Sequence, residues 1–494
     1  MTIVDVIVAG AGPAGLMTAA ELSLAGVRPL VLDSLPGRNP MSRAGVIHSR
    51  TAELFDQRGL LEPLLATGDF PRTEIGHFAG LPVDFRAWPT RHPAYNVPQG
   101  KIEEFLENRL AGGGLPVLRG HQVTGLEAEA EGVTVTADGP GGVVRFRGRY
   151  LVAADGGRST IRRLLDLDFP GRRGTSASVT AEAVLAGPAG TRQGLARGRS
   201  GHWAIQFPLE GRVRRLVVGG PGTAAPRDAE VSADELRDTL RAVYGDEVEL
   251  VGIRRAARID DAARQITSYR VGTVFFAGDA AHIHLPLAGQ GVNTGLGDAF
   301  NLGWKLAAAV HGWAPDGLLD TYHSERHPVG ARVLANTQTQ GLLMDRAGTG
   351  NPDLSPAREL LAELLRVPGA MRWMAGMMTG LDIRYDMPGG SAEPLLGMRV
   401  PEFDVTVGGQ RRRAHSLLSS GRGVLLDFTG SGRFAAHASL WDDRVDHLRA
   451  VPHDNIPAAA MLIRPDGYVC WTSGLGHVGH GLRAWFGTGR SSAS

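Results

Sequence analysis

The chain has 494 residues, 43% hydrophobic and 21% charged, which is too long for one core and suggests about three cooperative units of roughly 100 to 200 residues each. A net charge of +1 supplies no field for gathering nucleic acid, so that class of partner is set aside. One cysteine, Cys470, excludes an intrachain disulfide and any CxxC redox pair, so electron traffic would need a bound cofactor. Lysine occurs only at Lys101 and Lys305 among many arginines, a compositional bias from which no function is argued. The apolar N-terminus lacks a basic leader and is broken by glycines, and no apolar run approaches the ~20 residues that span a bilayer. A soluble, cytoplasmic chain with no membrane partner is expected.

In chain order, Ile3 to Val8 reads as a short apolar strand, followed by a glycine turn, a helical pattern to about Ala25 and a second strand from Arg28 to Leu32. Short strands and helices then alternate to about residue 165. Gly132 to Ala137 and Val143 to Arg147 form a hairpin across the turn Pro140 to Gly142 that reads as an insertion. From about Ser176 to Arg270 the pattern is strand-rich, with runs such as His202 to Pro208 and Arg215 to Val218 and one helix at Ala233 to Tyr244. Thr273 to Ala277 returns to a buried strand, and helices are expected over Asp298 to Val310 and about Leu318 to Leu343. A Pro/Gly-rich passage at Met387 to Pro394 opens a last α/β region ending in a helix near Leu482 to Phe486.

The chemistry begins at Gly10-Ala11-Gly12-Pro13-Ala14-Gly15. In a strand-turn-helix context the first glycine permits the tight turn, the second lets the backbone approach a pyrophosphate, and the third lets helix pack on strand. Free N–H groups and the positive dipole end at the helix start favour an anion by about 0.3 to 2 kcal/mol, which assists binding without accounting for all of it. Asp33 ends the second strand, where its carboxylate can accept from adenosine ribose hydroxyls, favouring FAD or NAD over a 2′-phosphate. A second GxGxxG at Gly474 to Gly479 leaves too little chain for a following strand and acid, and reads as a surface loop.

Val274-Phe275-Phe276-Ala277-Gly278-Asp279-Ala280-Ala281-His282, followed by Pro286 and Gly289-Gln290-Gly291-Val292-Asn293, resembles the Gly-Asp segment of class A flavoprotein monooxygenases, the para-hydroxybenzoate hydroxylase fold. The resemblance implies that Asp279 contacts the ribityl chain and that the helix opening at Gly289 faces the flavin pyrimidine edge. Tyr150 to Ser159 resembles the family's Asp-Gly motif, implying a role for Asp155 in FAD and nicotinamide handling. Ser42-Arg43-Ala44 resembles the segment whose arginine lies along the cofactor, Pro98-Gln99 the position whose glutamine contacts it, and Val123 would lie near the adenine. One departure is Ala288, where the family often has a glycine.

Asp320 to Pro328 and Arg464-Pro465-Asp466-Gly467-Tyr468 bring the whole chain closest to the larger members that hydroxylate aromatic polyketides, whose last domain is thioredoxin-like. The implied fold is α/β: a Rossmann-like FAD-binding domain over residues 1–175 and 271–386, an inserted α+β substrate domain over 176–270, and a thioredoxin-like α/β domain over 387–494. Without CxxC the last domain cannot exchange thiols and is expected to serve packing or homodimer contacts.

The expected activity is hydroxylation of a polycyclic aromatic substrate by O2 through a C4a-hydroperoxyflavin, with NADPH or NADH as transient co-substrate. Because the cofactor carries the hard chemistry, no catalytic side chain is assigned. Baeyer-Villiger or rifamycin-type oxygenation, or a flavin-binding protein without turnover, are the alternatives. His282 and His284 read as hydrogen-bonded structural residues, with no metal implied. His48 stays unassigned between a place at the substrate cavity, a helix cap and the surface. Met371, Met374, Met377 and Met378 form a helical stripe suited to packing or to lining an aromatic cavity, and Arg411 to Arg413 reads as a solvated loop.

Overall fold

The computed structural model describes residues 2–39, 45–174, 177–198, 201–221, 223, 225–226, 229–344, 354–388 and 393–490. Strand β1 (Thr2–Ala9), helix α1 (Pro13–Leu24) and strand β2 (Leu30–Asp33) form the first βαβ unit, with β1 and β2 parallel. Val6, Ile7 and Val8 are fully buried, as an apolar run covered on both faces of a parallel sheet should be. After α2 (Ser49–Gln57) and α3 (Gln99–Gly112), the strand Leu118–Arg119 adds to the β2 edge. Strands β3 (Gln122–Glu129), β4 (Gly132–Gly139) and β5 (Gly142–Ala153) follow as an antiparallel arm.

The inserted hairpin expected from the glycine turn is only half of what β5 does. Gly142 to Gly148 pair with β4 while Phe146 to Ala153 run beside β1, and Leu151 to Ala153 sit between β1 and a later strand as a centre of the main sheet. The burial explains this: Leu151, Val152 and Ala153 are completely enclosed, whereas Val143 near the turn is exposed.

Residues from Ala177 to Asp260 build a five-stranded antiparallel sheet in the order Gly194–Arg197, Trp203–Glu210, Val213–Gly219, Ala177–Ala186, Glu249–Asp260. Helix α4 (Ala233–Tyr244) is N-capped by Ser232, whose hydroxyl accepts from the Glu235 N–H. It covers one sheet face, packing Leu236 and Leu240 with Ala181, Ala204 and Leu216. The opposite face contributes Trp203 and Ile205 to an apolar cluster shared with Phe78, Phe85, Leu285, Leu287, Met374 and Met378.

The chain then re-enters the first sheet through β6 (Val274–Phe276), parallel to β5. Two long helices follow, α5 (Gln290–Val310) against α1 and α6 (Thr321–Leu343) against α5. Helix α7 (Pro368–Thr379) carries the methionine stripe, of which Met374 and Met378 are buried in the shared apolar cluster. Among the described residues no helix is long and apolar enough to cross a membrane.

The last region is a six-stranded sheet closed by the helix Val478–Phe486. Arg411 to Arg413 lie not in a loop but in its edge strand Gln410–Arg413, where Arg411 pairs with Asp404 and Arg413 reaches Asp56. Charged side chains on an outer strand oppose edge-to-edge association. The second glycine pattern forms a short turn, Ser473–Leu475, and the start of the closing helix, whose first turn is capped by His477 accepting from Gly479 N–H.

This region is keyed into the rest by the turn Arg464 to Tyr468. Arg464 donates to both oxygens of Glu325 at 2.6 and 2.8 Å and to Asp466 at 3.0 and 2.6 Å, while Lys305 Nζ reaches Glu325 at 2.9 Å. All four side chains are enclosed. Burial pushes the Lys305 ammonium down to about 8; it would raise Glu325, but Arg464 and Lys305 outweigh it and hold that carboxyl at about 2. Replacing Arg464 by methionine leaves two buried carboxylates undercompensated and is expected to destabilise the protein by ~3–5 kcal/mol, read as a lower denaturation midpoint.

A second contact joins the loop at His92 to Asp56 (2.9 Å) and Glu402 (3.4 Å). Burial would lower the His92 imidazole, but these two carboxylates raise it from 6.5 to about 9. Its proton therefore stabilises the fold fully below pH 6.5, and that contribution is lost as the pH rises through about 9. The loss amounts to at most ~3.5 kcal/mol at 1.4 kcal/mol per unit. Thermal melts from pH 6 to 9.5 are expected to show this decline in the wild type and a flatter profile in His92→Gln.

Candidate functional site

Three positions on the glycine turn meet three different demands. Gly10 has φ +106°, and a Cβ there would overlap the Ala154 carbonyl, while its N–H donates to Leu32 O at 2.7 Å. A Cβ on Gly15 would overlap the Gly10 carbonyl, so the helix can close on the turn only without one. At Gly12, by contrast, an added Cβ meets nothing within 4 Å: the space is open toward the start of α1, which has no side-chain cap. Uncapped N–H groups facing open space form an anion cradle.

Asp33 braces this turn. Its Oδ2 accepts from Ala11 N–H at 2.7 Å, its Oδ1 accepts from Leu35 N–H at 2.9 Å, and Arg119 stands 3.3 Å away. A carboxylate has about four lone-pair sites, so acceptor capacity for a ribose remains. Arg38, Asn39, Gly100, Glu107 and Arg119 line an open hollow on the same side. Gln99 opens α3 beside it and donates to Glu103 at 2.8 Å, and Val123 is buried on β3. Arg43 lies outside the described residues.

Asp279 follows β6 as an exposed acid between buried neighbours, Gly278 and Ala280. Its turn reaches the glycine turn because the residues in contact are small: a Cβ on Gly278 would come within 3.0 Å of Ala14 Cβ, and one on Gly295 of α5 within 3.2 Å of Gly278 Cα. Pro13, Ala14 and Gly15, the Asp279 turn and the first turns of α5 are thus brought to one cleft. Behind it, the buried carboxylate of Asp298 accepts from Gly278 N–H (3.1 Å) and Arg326 Nε (2.8 Å) and lies 2.8 Å from His282 Nε2. His282 is therefore a hydrogen-bonded structural residue, and His284 likewise reaches Leu285 O through Nδ1 at 2.9 Å.

At the start of α5, Pro286 is exposed, and Ala288 and Gly289 both take left-handed conformations, φ +53° and +67°. Gly289 is the cap residue and supplies no side chain, so the first-turn N–H groups around Gly291 and Val292 stay free of side-chain caps. The side chains of Gln290 and Asn293 turn into the protein. Gln290 donates to Asn336 at 2.9 Å, and Asn293 donates to Gly289 O and Val46 O. Contact with a ligand from this segment would run through its backbone.

Asp155 also has a structural task. Its Oδ2 accepts from Thr160 N–H (2.6 Å) and Ile161 N–H (3.1 Å), while Oδ1 is buried without a partner. Burial raises its pKa despite those bonds. Glu53, His92 and Glu402 converge as metal ligands would, but Arg50 and Arg399 already pair with Glu53, and Arg399 also approaches Glu402. Positive charge is already provided there.

Residues 3–337 match the FAD binding domain and residues 393–489 the C-terminal region of aromatic-ring hydroxylases. The chain belongs to the FAD-dependent aromatic-ring hydroxylases. It is 43% identical to the anhydrotetracycline monooxygenase of Streptomyces rimosus over 98% of this chain and 99% of that one. It is 41% identical to the rifampicin monooxygenase of Streptomyces venezuelae over 98% of each. The solved anhydrotetracycline hydroxylase OxyS from Streptomyces rimosus superposes with a TM-score of 0.90 at 43% identity, covering 99% of this chain and all of that one. The protein is thus an FAD-dependent monooxygenase, and its open cradle at Gly12, the Asp279 carboxylate and two uncapped helix starts fit a flavin dinucleotide.

Asp298 and Arg326, buried polar residues inside the hydroxylase's helices, receive no role from sequence reading; the available signal is the polar side chains Asp298, Asn301 and Lys305 within the otherwise apolar stretch Leu296 to Leu306. Gly12→Val is expected to leave the melting point of the FAD-free protein unchanged while weakening FAD binding more than about tenfold, a loss of ~1.4 kcal/mol. Gly15→Ala is expected to destabilise even the FAD-free protein by ~1–3 kcal/mol, since helix and turn must separate. Thermal melts and fluorescence titration with FAD distinguish the two.

Proposed function

We propose that the enzyme hydroxylates a polycyclic aromatic polyketide, consuming O2 and NADPH or NADH. The observation that carries this reading is the convergence of the glycine turn, Asp279 and the free start of α5 beside the apolar cluster that joins both large domains. FAD, when bound, supplies the activation of O2 and the transfer of one oxygen atom to an aromatic carbon. Everything else falls to the chain.

Gly10, Gly12, Pro13, Ala14 and Gly15 hold the diphosphate by backbone and helix dipole. Asp33 accepts from the adenosine ribose and Asp279 from the ribityl hydroxyls, with Gln99, Val123, Arg43 and Asp155 completing the cofactor contacts. The backbone N–H groups from Gly289 to Asn293, beside Pro286, would face the flavin and favour negative charge placed there. Residues 1–175 and 271–386 form the cofactor domain, 176–270 the substrate domain, and 387–494 a thioredoxin-like domain that packs against both parts.

Phe78, Phe85, Trp203, Ile205, Met374 and Met378 offer a flat aromatic ligand a dry, adaptable wall drawn from three segments of chain. No base is required of the protein beyond positioning. The 41% identity to a rifampicin monooxygenase favours, as a second reading, a rifamycin-like polyketide as substrate.

Incubation with NADPH, FAD and 18O2 across a panel of aromatic polyketides is expected to yield a product carrying one labelled oxygen with its ring connectivity intact by NMR. A ring-expanded lactone would identify oxygen insertion instead. NADPH consumption with hydrogen peroxide alone, for every aromatic tested, would remove the hydroxylase reading.

A further inference from the structure

The His48 side chain has no role in the site as described so far: the residue is buried, only 3% exposed, and stands at the N-cap position of α2, but its ring caps nothing. Its ring lies edge-on to Phe85 at 5.6 Å, and its Nε2 stands 2.8 Å from the carbonyl oxygen of Ala288. A carbonyl only accepts, so Nε2 carries the proton and donates. The other nitrogen, Nδ1, is buried with no partner. Burial lowers the imidazole to about 4, which keeps it neutral and in this tautomer at working pH.

The carbonyl it holds belongs to a strained residue. Ala288 sits at φ +53°, a conformation that costs an L-residue with a Cβ about 1–2 kcal/mol. Such strain persists where surrounding bonds over-determine it. Here three more bonds do so. The His48 N–H donates to Asn293 Oδ1 at 2.8 Å, and Asn293 Nδ2 donates to Gly289 O at 2.7 Å and to Val46 O at 3.0 Å. The segment Val46 to His48 and the turn Ala288 to Asn293 are thereby stitched together on both sides of Gly289.

We propose that His48 is a positioning residue: by donating from Nε2 to Ala288 O it holds the left-handed turn that keeps the first-turn amides of α5 aimed at the flavin pyrimidine edge. The inference rests on the assignment of that helix end to the flavin. Its consequence is electrostatic. Amides held in place favour the reduced, negatively charged flavin over the oxidised one, whereas the diphosphate cradle at Gly10 to Gly15 serves both forms equally.

The two amide replacements separate the two ring nitrogens. Glutamine at this position carries its NH2 near the place of Nε2, and asparagine near that of Nδ1. His48→Gln is expected to keep the wild-type reduction potential of bound FAD. His48→Asn, still retaining FAD, is expected to bind reduced FAD about tenfold less well relative to oxidised FAD, a fall of ~30 mV for a two-electron couple. It should also release more hydrogen peroxide per NAD(P)H at unchanged substrate KM. An unshifted potential in FAD-loaded His48→Asn, or equal falls in both variants, would overturn the inference while leaving the flavin assignment intact. A wild-type protein that takes up no FAD would remove both.

Discussion

The site depends on close backbone approach. Helix α1 can begin directly at the end of β1 because Gly15 lies on the Gly10 carbonyl, and the turn before Asp279 can reach α1 because Ala14, Gly278 and Gly295 present at most a methyl group between them. Interiors are packed too tightly for even one added methylene to pass unnoticed. At these contacts that density is turned to placement: the glycine turn and, hundreds of residues later in sequence, the Asp279 turn with the adjoining start of α5 bring two uncapped helix starts and one carboxylate into a single cleft.

Polar groups then hold the helices that carry those segments. Along α5, Asn293 secures the first turn to Val46 and His48, Asp298 secures the middle to Gly278 and Arg326, and Lys305 secures the far end to Glu325 and, through it, Arg464. Buried ion pairs add little net stability compared with apolar packing, but each defines one geometry, because displacing either partner leaves an uncompensated charge. The C-terminal region thus bears on the placement of α5. Its turn Arg464 to Tyr468 locks onto the same helix whose opposite end opens, uncapped by any side chain, at Gly289.

Local backbone demands were legible in the sequence. The glycine turn, the strand before it, Asp33, the helix Ala233–Tyr244 and the buried strand before Asp279 each follow from neighbours within a few residues. Long-range pairing was not. The strand Gly142–Ala153 shows its glycine turn in sequence but not that its far end slots between two parallel strands. Arg411 to Arg413 show charge, not the partner strand that makes them a sheet edge. Gln290 and Asn293 stand in the expected segment, yet their side chains answer to Asn336 and Val46, residues that only folding brings near.

The sequence by itself determined the cofactor class, the α/β architecture and the order of the motifs, because a turn that must admit a diphosphate restricts residue type at fixed local spacing. Only the tertiary structure decided which groups remain free to act. Whether an amide, a carboxylate or an imidazole is spent on the protein or left for a ligand depends on partners distant in the chain, and hydrogen bonds, unlike backbone conformations, leave no periodicity to read.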